Sequence, residues 1–351
     1  MDAAETVIPA EDFGAELSFW TREAGLRLDA IWPADDPEVA RLSGRGLSLR
    51  LVRGAGPAVR LRLAEGAPAT SPAGHAIEIG PPVPDYAMPP VQTGFGLRRL
   101  ADGAPWVIGR AGMHYRDLVP DRLGGAIIAS HIRIPDGGPV PDMVHYHTIG
   151  FQLIHCHRGW VDLVYEDQGP PFRLHAGDCV IQPPEIRHKV LYASPAIEVV
   201  EIGVPAVHVT TIDHEMTLPN GPARPDRTWG GQRFVHHRAS QAAWTDAPRP
   251  GFARRDTGIA AGTGGAADVR VLRRAGPAPA SAAMLAHRAD IHFAFVLTGR
   301  MTLMHGGLAH PVEASDAFVL PPGEGAAFAD PSDDLEVLEV TLPGAPDWHP
   351  A

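Results

Sequence analysis

A mainly β chain is predicted, in which a repeated β module follows a small α+β module. Three observations lead there. Glycine (38) and proline (36) are abundant among 351 residues while aromatics make up only 7%. That composition fits short strands joined by many turns better than long helices. A set of turn and strand words recurs at a spacing near 140 residues, which points to duplication of one unit. Finally, His145-Tyr146-His147 is written with the two-residue period of a strand, so both imidazoles can leave one face of a sheet.

Length suits two or three domains. A hydrophobic content of 44% with 20% charged residues is ordinary for a globular core, and the net charge of −11 disfavours nucleic acid or an anionic membrane as partner. Cys156 and Cys179 are the two cysteines. Both fall in predicted strands and are expected to be reduced and buried; their spacing does not argue for a disulfide. With no apolar run near 18 residues and an acidic N-terminus, the expectation is a soluble, cytoplasmic protein.

The first segment reads in order as a strand (Glu5 to Pro9), a helix (Phe13 to Gly25) and three strands (Leu26 to Ile31, Glu38 to Leu42, Leu47 to Arg53). Phe13, Leu17, Trp20 and Ala24 recur at helical spacing behind Glu11 and Asp12, and Gly44-Arg45-Gly46 marks a turn. This βαβββ order, with Ala15-Glu16-Leu17-Ser18-Phe19-Trp20 and Gly25-Leu26-Arg27-Leu28-Asp29, resembles half of the glyoxalase-like vicinal oxygen chelate fold. That family closes a metal cup from two such modules with His or Glu on the strands. Here the strands carry no His, and Glu5 and Glu38 are their only glutamates, so no metal is expected in this module. A lone half-cup leaves a sheet edge to be covered by a twin or a barrel.

The duplication is regular. Gly124-Gly125 maps to Gly264-Gly265, His147 to His287 and Gly159 to Gly299 at an offset of 140; Asp178 maps to Asp316 and Pro183-Pro184 to Pro321-Pro322 at 138. A turn shortened by two residues accounts for the change. The chain divides accordingly into the βαβββ module (1–65), a Pro-rich linker (66–92), a first β unit (93–218), a second linker (219–250) and a second β unit (251–351).

His145, His147, Gln152, Gly159, Gly177 and His188 resemble the two signature motifs of the cupin superfamily, G-x5-H-x-H-x3/4-E-x6-G and G-x5-P-x-G-x2-H-x3-N. The resemblance implies two double-stranded β-helix (jelly-roll) barrels in one chain, a bicupin. It also implies one divalent transition metal per chain, Fe or alternatively Zn, Ni or Mn, held by His145, His147, Gln152 and His188. The sequence departs from the pattern at four positions. Gln152 stands for the usual Glu, Pro139 for the opening glycine, Glu185 for the turn glycine and Tyr192 for the final Asn. In the second copy His145 maps to Leu285, Gln152 to His292 and His188 to Ala326. That leaves His287 and His292, too few donors for a firm site, so the second barrel reads as a metal-free scaffold and dimerisation unit.

Three imidazoles and an amide oxygen leave the metal's charge intact, which favours an anionic chelating substrate such as an enediol, β-diketone, phenolate or uronate. A dioxygenase acting on such a substrate is the leading expectation. A non-redox isomerase, cyclase or lyase on a keto or uronic acid is the alternative, favoured by Gln152. A non-catalytic binding or sensing bicupin is a third. Glu185 and Glu201 are the acidic candidates for catalytic base. Period-two alternation sets Gln152, Ile154 and Cys156 on one face and Leu153, His155 and His157 on the other, toward solvent or an interdomain contact. A small-molecule substrate and a homodimer are expected. With no helix-turn-helix pattern or basic patch, nucleic acid is not a partner, and neither is a membrane.

Overall fold

The computed structural model describes residues 4–276 and 282–351, and it is mainly β. A first compact unit ends at Asp85 and a second spans Tyr86–Ala351.

In the first unit the strands Thr6–Ala10, Arg27–Trp32, Val39–Gly44 and Leu47–Arg53 form one sheet. Thr6–Ala10 lies parallel to Leu47–Arg53, and the remaining pairs are antiparallel. The helix is shorter than its apolar spacing suggested. It runs Phe13–Ser18, with the Asp12 carboxylate accepting from the Ala15 amide at its start, and widens into a π turn over Phe19–Glu23. Trp20 is fully buried there, its indole N–H donating to the Glu16 carboxylate at 2.9 Å. The segment read as a linker from residue 66 instead carries the strands Ala69–Thr70 and Ala76–Ile79, which join Arg60–Leu63 in a second small sheet. Alanine and proline content hid two short strands, of which Ala76–Ile79 pairs both with Ala69–Thr70 and with Arg60–Leu63 outside the segment.

In the second unit each half is a pair of facing sheets. A seven-stranded sheet carries Ile128–Ile134, Phe151–Arg158, Cys179–Ile181 and Ile197–Val204, and faces a sheet carrying His145–Thr148, Trp160–Tyr165 and His188–Ala193. The second half repeats this with Asp268–Arg274, Ile291–Thr298, Ala317–Val319 and Glu336–Leu342 in one sheet. Register follows the duplication. Ile154 pairs with Glu201 as Ala294 pairs with Glu339, and His145 pairs with His188 as Leu285 pairs with Ala326.

The halves exchange strands. Gly96–Arg98, inside the range read as the first β unit, instead pairs with Ala317–Val319 of the second; Val235–His237, inside the segment read as the second linker, pairs with Cys179–Ile181 of the first. Outward faces of the two seven-stranded sheets then share one core, in which Leu153, Ile181 and Ile202 meet Phe293, Phe295 and Leu338. A fully buried side chain of this kind contributes about 1.5–3 kcal/mol. His155 and His157 belong to this joint. His155 is fully buried, and the His157 ring lies 5.3 Å from that of Phe295. Barrel-to-barrel contact is their use. The opposite faces of the first barrel's strands enclose a separate core containing Cys156, Val180, Ile186 and Tyr165.

Candidate metal centre

Strand geometry brings the three expected imidazoles together. His145 and His147 alternate with Tyr146, which turns outward under the Arg187 guanidinium, and His188 sits directly across from His145. Ring centroids are 4.2 Å apart for His145 and His188, 5.1 Å for His145 and His147 and 5.2 Å for His147 and His188. One nitrogen from each lies within 4.8 Å of the others, and all three residues are buried.

The second nitrogen of each ring is tethered. Nδ1 of His145 meets the Met143 carbonyl at 2.8 Å, Nδ1 of His188 the Ile186 carbonyl at 2.9 Å, and Nδ1 of His147 the Thr210 hydroxyl at 2.9 Å. A ring that donates from Nδ1 to a carbonyl carries its lone pair on Nε2, the arrangement in which a histidine ligates a metal. Burial disfavours protonation and holds the His147 ring down to about 2, with His145 and His208 adding repulsion; His188 is held well below its usual value by burial and by His145 and His147. Neutral imidazoles are the form a metal takes.

Gln152 is buried on the same side of its strand as Ile154, which lines the cavity beside the triad. Its Nε2 donates to Glu201 at 2.6 Å, and its Oε1 is buried with no hydrogen-bond partner. A buried, unpaired amide oxygen is costly unless something positive faces it. The three clustered, neutral imidazoles of His145, His147 and His188 therefore fit a divalent metal, and Gln152 Oε1 is a buried, unpaired oxygen on the strand that also carries Ile154.

Glu201 lines the inner cavity, and burial raises its carboxyl above the usual range. Glu185 is not brought to the site. It occupies an exposed turn with φ +64°, the backbone that favours glycine, and its carboxylate accepts from Thr148.

Sequence reasoning missed Arg110 and Asp142. Arg110 Nη1 donates to the buried Asp142 carboxylate at 2.6 Å while Nη2 reaches Nε2 of His145 at 3.0 Å. Asp142 also accepts from the Val190 amide, which ties it to the His188 strand. The duplication held the signal, because Arg110 maps to Arg249 and Arg116 to Arg255 at an offset of 139. His208, beside His147 at 5.4 Å between ring centroids, carried no comparable signal.

The second barrel is filled where the first is open. Arg249 is buried there, 3.9 Å over the Phe328 ring, and donates to the carbonyl of Ala326, the residue matching His188. His292 turns its Nε2 to Glu339 at 3.2 Å and His287 turns its own to the Leu320 carbonyl at 3.2 Å. Among the described residues the first barrel's triad is the one histidine, cysteine and carboxylate cluster with metal-like spacing.

Two cavities meet at the triad. An inner one of about 80 Å³ has aliphatic walls that include Ile132, Ile154, Leu163 and Val199. An outer chamber of about 550 Å³ shares Arg110, Tyr115, His147 and Glu201 with it.

No family model matches the sequence, and no curated protein matches it. Solved structures do resemble it. Protein Ylba from E. coli superposes with a TM-score of 0.51 at 13% identity, covering 72% of this chain and 91% of that one. Salicylate 1,2-dioxygenase from Pseudaminobacter salicylatoxidans gives 0.54 at 14%, covering 73% and 86%. A mutant of oxalate decarboxylase from Bacillus subtilis gives 0.53 at 12%, covering 72% and 78%. These are two-barrel cupins, and at such identities the likeness is one of fold. No helix among the described residues is long and apolar enough to cross a membrane.

Proposed function

We propose that this chain is a metal-dependent dioxygenase of a small chelating phenolic, enediol or diketone substrate, with iron as the metal. The observation that carries the reading is a cluster of three neutral imidazoles opening onto a cavity with largely aliphatic walls. His145, His147, His188 and Gln152 would hold the ion, which when bound would supply a positive, redox-active centre for a chelating oxyanion. Because every donor is neutral, a substrate anion is attracted at full strength.

The chain's own residues do the rest. Ile132, Ile154, Leu163 and Val199 exclude water from the reacting end and give an apolar ring or chain its place. Arg110 holds Asp142 with one nitrogen and has the other beside His145, where it would be placed to donate to an oxygen of a bound substrate anion. Glu201, with its carboxyl raised by burial and oriented by the Gln152 amide, accepts the proton that a phenol or enol loses on binding. Salicylate dioxygenase, one of the fold neighbours, works on a phenolic acid.

A second reading is supported by that same Glu201. A buried carboxyl of raised pKa next to a Lewis-acid ion also suits enolisation, hence an isomerase, cyclase or lyase of a keto or uronic acid, with zinc, nickel or manganese in place of iron. The N-terminal βαβββ unit is read as a vicinal-oxygen-chelate-like half module without a metal of its own.

Anaerobic Fe(II) loading followed by an oxygen-electrode screen of catechols, hydroxyaromatic acids and β-diketones tests the proposal. Stoichiometric oxygen uptake with one of these classes is expected. Iron-loaded protein that consumes no oxygen, but whose zinc or nickel form exchanges the α-proton of a keto acid with solvent deuterium, would replace it with the second reading.

A further inference from the structure

The outer chamber collects cations in a chain that carries a net charge of −11. Arg98, Arg110 and Arg122 all line it. Arg110 is engaged by Asp142 at 2.6 Å, and Arg122 faces Asp117 at 3.5 Å with both side chains over a third exposed. Arg98 has no ion-pair partner among the described residues, and its Nε is buried with no hydrogen-bond partner. It arrives from the exchanged strand Gly96–Arg98 of the second barrel's sheet, so the strand exchange is what delivers this guanidinium to the first barrel's chamber. The acidic groups on the wall are Asp117, already facing Arg122, and Glu201, hydrogen-bonded to Gln152. A guanidinium that lines a chamber without an ion-pair partner leaves its charge free to attract an oxyanion.

We propose that Arg98 and Arg122 form a second anion subsite, for a carboxylate or phosphate borne on the substrate away from its chelating end. The inference rests on the reading of the inner cavity as the reacting site. With about 80 Å³ inside and about 550 Å³ outside, the inner cavity takes the chelating group and the chamber takes the remainder of a longer molecule. Guanidinium groups favour planar or tetrahedral oxyanions through paired N–H donors.

The test is isothermal titration of the full-length protein, as purified and with its metal content recorded, with inorganic phosphate and separately with propionate. One of the two should bind saturably, and which binds tighter identifies the anion. Arg98→Gln combined with Arg122→Gln should weaken that binding at least tenfold at unchanged metal content, as expected for loss of charge-assisted hydrogen bonds. The Arg98→Lys, Arg122→Lys pair keeps the charge and should bind several-fold tighter than the glutamine pair, which separates loss of the subsite from loss of the fold. Absence of saturable binding by either anion, equal binding by the glutamine pair and wild type, or equal loss in both pairs would overturn the proposal. Failure of the oxygenase reading would leave this binding intact, because the two arginines hold no part of the metal centre.

Discussion

Of the three hydrogen bonds that aim the triad, two run to backbone carbonyls, which no side-chain substitution removes. The third runs from His147 Nδ1 to the Thr210 hydroxyl at 2.9 Å. Thr210→Val keeps the side-chain shape and deletes only that acceptor. A net hydrogen bond of this type is worth roughly 0.5–1.5 kcal/mol, and groups that orient a metal-bound histidine typically change affinity about 10–100-fold. The expectation is metal binding weakened by about tenfold, with the melting temperature of the metal-free protein little changed because Thr210 is exposed. Competition against a chromophoric chelator measures the first quantity and a thermal melt the second. Thr211→Val, one residue along and paired with Tyr146 on the opposite face, is the control and should bind as wild type. Equal affinity in the Thr210 and Thr211 variants would show that this hydrogen bond does not orient the ring, and with it the argument for Nε2 ligation by His147 would fall.

Acid should unfold the protein early. His155 is held down to about 3, His157 to about 4 and His147 to about 2, chiefly by burial, against 6.5 for an ordinary imidazole. The unfolded chain therefore binds protons that the folded one refuses, and stability is full above about pH 6.5 and declines as pH falls toward these lower values. His155→Leu removes one such group, whose ring nitrogens make no hydrogen bond. Its stability should fall less steeply between pH 6 and 4, by up to about 1.4 kcal/mol per pH unit; a wild-type slope in denaturant melts would refute the assignment. Gln152→Glu places a second carboxylate against Glu201, so the pair should hold a proton that the metal must displace, making metal affinity more steeply pH-dependent than in wild type. An unchanged pH slope would mean that residue 152 does not face the metal. Cys156 and Cys179 are free and buried, with thiols raised to about 12 by burial, so neither should react with iodoacetamide until the protein unfolds, and modification of the native protein would contradict their placement.

The triad was legible in the sequence because strand period and motif spacing are local, and His145, His147 and His188 each sit where a two-residue repeat or a fixed turn puts them. The outward turn of His155 followed from the same alternation. Glu185 misled because closeness to a ligand in sequence does not fix a turn residue's direction, and its exposed carboxylate meets Thr148 instead. Arg110 carried only the repeat offset to Arg249, and its pairing with Asp142 is long-range, which spacing does not encode. The strand exchange was hidden for a related reason. Gly96–Arg98 and Val235–His237 are three-residue strands whose partners lie in the other half of the duplication, so sequence reading assigns the first to the wrong barrel and the second to a linker. Arg249, which sequence reasoning did not single out, is buried over the Phe328 ring in the second barrel.

Elemental analysis of protein purified without chelator or polyhistidine tag tests the central claim most directly, run on wild type, His147→Ala and His287→Ala together. The account predicts one transition metal per chain in wild type and in His287→Ala, and loss of that metal in His147→Ala. Metal retained at full stoichiometry in His147→Ala, or lost in His287→Ala, would contradict it.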